Sequence, residues 1–264
     1  MELGFEIIAL LMAAAFIAGT IDAIAGGGGL ITIPALLAAG VPPLAAVATN
    51  KLQSTFGTGG AVLAYARKGH IDFKRFSLPA LASFIGSGLG AFILTQIDPN
   101  FLSALLPLLL VAMAAYFLFA PRLGDEDRRS RAGPALLIAV ALVIGCYDGF
   151  FGPGTGSFFT TALVAVFGLG LIRAVAHTKL LNFASNVAGL AVLMAGGHVL
   201  WVTGLAMALG SIAGGQSGAY VAMRFGAGAA RPLLIIMSLA LTAKLLWDPA
   251  NPLTAFVLSL VGAG

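Results

Sequence analysis

The sequence predicts an all-α, polytopic membrane protein made of two inverted repeats, each a broken-helix hairpin plus three full helices. Three observations predict it. The 264-residue chain is 59% hydrophobic and only 9% charged, against roughly 25% charged in a soluble domain. Apolar stretches run long: between 132 and 172 the sole charged residue is Asp148, and a bilayer takes about 20 apolar residues per helix. A polar motif also recurs, ATNKLQSTFGT at 48–58 returning as AHTKLLNFASN at 176–186.

Each element follows from its own residues. The opening MELGFEIIALL has no basic n-region, so it reads as a first membrane helix over 5–24 and not as a cleaved signal peptide. Gly26-Gly27-Gly28-Gly29 breaks that helix, since no ordinary helix interior holds four glycines. Residues 30–39 are apolar but span only about 15 Å as a helix, half a bilayer. Val41-Pro42-Pro43 breaks the chain again. Full helices are then expected over 44–66, 76–95 and 101–120. The linker 121–133, PRLGDEDRRSRAG, is strongly charged and divides the chain into a first repeat (1–120) and a second (134–264). The pattern restarts with a helix over 135–147, the glycine-rich turn GFFGPGTG after Asp148, and a short helix over 157–167. Full helices follow over 171–195, 201–225, 232–247 and 253–261.

At an offset of 128 residues the match extends past the polar motif. Gly69-His70-Ile71 aligns with Gly197-His198-Val199, and Ser83, Gly86 and Gly90 align with Ser211, Gly214 and Gly218. Charge placement decides the relative orientation of the copies. The loop after the first lysine helix carries Arg67, Lys68, Lys74 and Arg75, whereas its counterpart at 196–201 has no Lys or Arg. The next connection reverses this, with none at 97–100 but Arg224 and Arg231 in the second copy. Placing the Arg67 loop in the cytoplasm puts Arg122, Arg128, Arg129, Arg131, Arg173, Arg224 and Arg231 there as well. The copies are thus inverted, with both ends of this chain on the outer side. Such architecture is typical of secondary transporters, whose site lies near the midplane between repeats.

Lys179, Asn182 and Asn186 stand at i, i+3 and i+7 and share one helix face, as do Lys51, Ser54 and Thr58. A lysine at a bilayer centre costs about 2.5–3.5 kcal/mol even on the lenient scale. Two at repeat-related positions point to function over the alternative that each snorkels to the headgroups. Lys244 faces Tyr116 in the alignment and reads as a snorkelling residue or a partner of Asp248. Each half-helix restarting after a break turns its free N–H groups and positive dipole end towards a cavity. Close helix packing is the alternative use of those glycines. The candidate anion contacts are therefore Lys51 and Lys179, the polar groups of Asn50, Gln53, Ser54, Thr178, Asn182 and Asn186, and the amides near Gly28 and Thr155. His177 joins these candidate contacts; it replaces Thr49 of the first copy and reads equally as a proton carrier or a plain hydrogen-bonding group. Asp22 and Asp148 have three open roles: holding the turns, carrying protons, or pairing with the lysines.

Several classes are excluded. No G-x-x-x-x-G-K-[ST] loop is present, so transport would be gradient-driven with no nucleotide or other cofactor. No His/Cys/Asp/Glu cluster has metal-ligand spacing, and no Ser/His/Asp set or nucleic-acid signature is visible. A single cysteine, Cys146, forms no internal disulfide.

Two segments carry a resemblance. The first is Asp22-x3-Gly26-Gly27-Gly28 with Thr49-Asn50-Lys51. The second is Asp148-Gly149-Phe150-x-Gly152-Pro153-Gly154-Thr155-Gly156 with Thr178-Lys179-x2-Asn182. Together, and over nearly the whole chain, the sequence resembles the TauE/SafE family of membrane carriers. The resemblance implies a multi-pass carrier of a bacterial-type cell membrane that moves sulfite, sulfonates or related organosulfur acids; the residues alone imply a small anion. Alternatives are a carboxylate or phosphate carrier, an intramembrane enzyme using Asp22 and Asp148 as a dyad (although no GxGD element is present), and a non-transporting membrane subunit. The GxxxG pairs would pack within one chain or between two copies of a homodimer.

Overall fold

The computed structural model describes residues 3–119 and 132–225. Among the described residues the regular elements are helices: α1 (Phe5–Ala25), α2 (Gly29–Ala38), α3 (Pro43–Arg67), α4 (Phe73–Thr95), α5 (Pro99–Phe119), α6 (Pro134–Phe150), α7 (Thr155–Ala165), α8 (Leu171–Ala195) and α9 (Trp201–Phe225). By length and composition α1, α4 and α8 are able to cross a membrane. Most of the linker 121–133, the expected helices over 232–247 and 253–261, and Arg231, Lys244 and Asp248 lie outside the described residues. One boundary differs in a way that matters. Helix α6 continues through Asp148 to Phe150 instead of ending at Tyr147, so Asp148 sits in its last turn, as Asp22 does in α1.

The halves exchange partners. Helix α1 packs along α9 and α6 packs along α4, while α3 and α8 meet each other and also touch α9 and α4 respectively. Small residues permit the close crossings. Gly210, Gly214 and Gly218 lie against the backbone of α1 at Met12, Phe16 and Thr20, and Gly86 and Gly90 lie against α6 at Leu142 and Cys146. The GxxxG seams are therefore used within one chain, not held open for a second copy. On its other side α4 is tied to α8, with Ser83 Oγ donating to the Leu181 carbonyl (3.0 Å) and Ser87 Oγ to that of Ser185 (2.6 Å).

The outer faces are apolar. Leu78, Leu81, Ile85, Leu89 and Phe92 recur along α4 at helical spacing, each 48–60% exposed. Such a face is a liability in water and is the ordinary surface of a helix bathed in lipid. The polar side chains lie inward. Thr49, Asn50, Lys51, Gln53, His177, Thr178, Lys179, Asn182, Ser185 and Asn186 are all buried.

The two breaks meet at the centre. Gly26 has φ +80°, in the left-handed region that favours glycine, and a Cβ there would lie 2.6 Å from the Ser157 nitrogen. The Ser157 hydroxyl donates to the Ala25 carbonyl (2.9 Å), which the end of α1 leaves without a helical partner. Two half-helices, α2 and α7, thus start from touching turns, one contributed by each half.

Candidate functional site

The lysines sit where α3 and α8 meet beneath those turns. Lys51 is 1% exposed and Lys179 0%, so neither snorkels. Lys51 Nζ lies 2.8 Å from Asp148 Oδ2, and Lys179 Nζ lies 2.8 Å from Asp22 Oδ2. The pairing is crossed: each lysine takes the carboxylate of the other half. A buried lysine without a partner would be strongly disfavoured in its charged form; here the partner comes from across the repeat boundary. Two of the roles left open for the aspartates are therefore observed. Asp22 accepts the Gly28 N–H across its own break (3.2 Å) while holding Lys179. Asp148 holds no turn of its own; it accepts the Ser185 hydroxyl (2.5 Å) beside Lys51.

Beside these pairs lies a small cavity of about 20 Å³, lined by Asp22, Asp148, Lys51, Asn50, Ser54, Thr58, Asn182, Asn186 and the glycines of both breaks, but not by Lys179, which reaches it only through Asp22. That volume admits water and little else. The amides on its wall are oriented by their neighbours. Asn50 Oδ1 accepts from Thr32 Oγ1 (2.5 Å) and Gln53 Nε2 (2.8 Å), and Asn186 Oδ1 accepts from Lys51 Nζ (3.2 Å). With these carbonyl ends occupied, the spare hydrogen-bonding capacity of both groups is their N–H₂ ends, which are donors. Asn182 differs, its Oδ1 being buried without a partner among the described residues, as is Gln53 Oε1.

Other expected contacts lie elsewhere. Gln53 acts from behind, donating to Asn50 and to Ser54 Oγ (2.8 Å). Thr178 is fully buried against Thr160, hydroxyl to hydroxyl at 3.1 Å. The Thr155 amide is not free for a ligand, because the Gly152 carbonyl takes both its N–H (3.2 Å) and its hydroxyl (2.7 Å). The Gly28 amide is likewise taken, by Asp22. Gly28 still lines the cavity, as do Gly29 and Gly156 at the starts of the half-helices.

His177 is outside the cavity as well. Its ring stacks on Phe76 with centroids 3.9 Å apart, its Nδ1 meets the Arg173 carbonyl (2.7 Å), and its Nε2 accepts the Asp72 N–H (2.9 Å). These bonds fix the neutral tautomer with the proton on Nδ1. In the other half Thr49 Oγ1 accepts the Leu200 N–H (3.1 Å). Positions 49 and 177, and 72 and 200, each stand 128 residues apart, the offset at which the polar motif recurs, so an apparent mismatch between His177 and Thr49 is one kind of tether made with two chemistries. His177→Ala should therefore cost about 1–3 kcal/mol, the price of an unmade hydrogen bond. His177→Gln should recover part of the loss, and neither should change anion affinity; melting curves and binding isotherms of the solubilised protein test this.

Lipid-facing helices around two facing broken helices and a buried, charge-paired cavity define a polytopic membrane transporter. Comparison with known proteins makes the class specific. The model of the sulfite exporter TauE/SafE family matches residues 11–245, and the chain belongs to that family. It is 51% identical over 253 residues to the probable membrane transporter protein ORF9 of Sinorhizobium sp, covering 96% of this chain and 97% of that one. It is 45% identical over 249 residues to a probable membrane transporter protein of Haemophilus influenzae (94% and 98% covered). It is 42% identical over 244 residues to the probable membrane transporter protein YfcA of Escherichia coli K12 (92% and 90% covered). No solved structure matches the chain.

Proposed function

We propose that this protein is a secondary carrier of a small anion across the cell membrane, with sulfite, sulfonates and related organosulfur acids as the first substrate class. The observation that carries the reading is the pair of buried ammonium groups, one from each half, each held by a carboxylate of the opposite half over a cavity whose oriented amides offer donors. The sulfur preference is supported by the family description alone. Lys51 and Lys179 neutralise the anion; Asn50, Ser54, Asn182, Asn186 and the half-helix amides bind its oxygens. Turnover takes the form of one half rocking against the other in an inverted arrangement, the mode typical of carriers built from two repeats. An intramembrane aspartyl dyad fits less well. Such a dyad needs two carboxyl groups sharing one proton, and here each carboxylate faces an ammonium instead.

The test is a thermal-shift screen of purified protein against sulfite, thiosulfate, sulfoacetate, taurine, phosphate and carboxylates, followed by flux into proteoliposomes. Lys51→Ala and Lys179→Ala should each weaken binding at least tenfold, about 1.4 kcal/mol. Unchanged affinity in both removes the assignment, and a response to carboxylates or phosphate alone moves the substrate class.

A further inference from the structure

We infer that the carrier is electroneutral: it takes one proton into the site for each negative charge of the anion it moves, and the first proton goes to Asp22. This inference rests on the anion-carrier reading above and extends it to the coupling ion.

The charges of the site balance one another. Lys51 and Lys179 bring two positive charges, and Asp148 and Asp22 cancel them at 2.8 Å. Among the described residues, an anion entering this site finds no spare positive charge. It would lie buried and uncompensated, the arrangement that low-dielectric surroundings penalise most. A lysine becomes available only when its carboxylate stops being an anion. Protonation of Asp22 Oδ2 does this: the aspartic acid stays in place as a neutral group, the Lys179 ammonium keeps its charge, and the incoming anion takes over as its counter-ion. The charge count is then again zero. A dianion repeats the step with Asp148 and Lys51.

The two carboxylates are not equivalent, and the difference sets the order. The Asp148 side chain is 4% exposed and accepts the Ser185 hydroxyl at 2.5 Å in addition to Lys51. The Asp22 side chain is 20% exposed, and its second oxygen has only the longer Gly28 bond at 3.2 Å. Asp22 is therefore the carboxylate that an entering proton reaches first. Its charged and titratable neighbours are few. Among the described residues they are Lys179 from α8, Lys51 and Tyr65 from α3, and Asp148 from α6 across the cavity, the Tyr65 hydroxyl donating to the Ala23 carbonyl (2.9 Å). Helices α2 and α7 contain no titratable side chain, and those on α9, Tyr220 and Arg224, are exposed.

The experiment uses the full chain in proteoliposomes, with the membrane potential clamped and a pH dye inside. The probes are methanesulfonate and thiosulfate, a monoanion and a dianion whose charges do not change near neutral pH. Protons should enter with the anion, one per methanesulfonate and two per thiosulfate, at a rate indifferent to the clamped potential. In Asp22→Asn the ratio should fall by one proton and the flux should become sensitive to potential. Exchange of labelled for unlabelled anion, which needs no net proton movement, should persist at an altered affinity and shows that the variant is folded. Asp22→Glu should keep the proton. Flux that is driven by potential without protons overturns the inference and leaves the carrier reading standing. An unchanged ratio in Asp22→Asn, or loss of exchange there while the protein stays monodisperse, overturns the assignment to Asp22. No flux of either probe overturns the sulfur-anion reading and the inference with it.

Discussion

Lys51→Met should destabilise the protein by about 3–5 kcal/mol, the cost of removing one partner from a buried ion pair. The ammonium it deletes is 1% exposed, and Asp148 would be left in a site 4% exposed with only the Ser185 hydroxyl for company. Water cannot readily reach the orphaned carboxylate, so it must either sit unpaired or take a proton. The double variant Lys51→Met/Asp148→Leu removes both charges and should return to near wild-type stability, since buried pairs are often replaced by apolar groups at no net cost. Anion binding should be lost in both. Lys179→Met should cost less than Lys51→Met, because the carboxylate it abandons is 20% exposed and can be partly hydrated. Melting curves of the four proteins in one detergent check the order. Equal stability of wild type and Lys51→Met would show that the Asp148 charge is not held by this pair.

The stability cycle also separates what the sequence makes legible from what it does not. A lysine amid apolar residues is visible to anyone counting charges, and finding it twice at one spacing makes the pair a site. The breaks are as plain, because four glycines in a row and GFFGPGTG leave a helix no way through. Partner choice is hidden. Asp22 and Lys179 are separated by 157 residues, and no periodicity says that each half's carboxylate crosses to the other half's lysine. The duplication held a partial clue: given one crossed pair, the repeat implies the second. It held the tether clue too, since Thr49 and Asp72 recur as His177 and Leu200. A change of side chain at the first position reads as lost symmetry unless the backbone amide at the second is considered, and a backbone amide leaves no mark in a sequence. Which half-helix amides are free is hidden for a related reason. Glycine runs locate a break to within a few residues, but which N–H is spent on its own turn, as in Thr155, depends on the turn's path.

That path makes the crossing of the two turns the most sensitive point outside the ion pairs. Gly26→Ala should abolish anion binding while leaving most of the helices formed. Alanine at φ +80°, ψ 165° occupies a backbone region that is essentially glycine-only, at a cost of about 1–3 kcal/mol. Its methyl would also start 2.6 Å from the Ser157 nitrogen and 2.7 Å from the Gly156 carbonyl carbon, atoms of a backbone that cannot rotate away; overpacking of this kind costs about 1–3 kcal/mol more. Relief is available only by pushing the turns apart, which lengthens the Ser157–Ala25 bond and moves Asp22 away from Lys179. Gly40→Ala is the control. Its φ is +79°, but a Cβ there meets nothing within 4 Å, so it carries the backbone cost without the collision. Gly40→Ala should lose only the smaller amount of stability and keep its affinity. If the two variants bind the anion equally well, the contact between the turns has no part in forming the site.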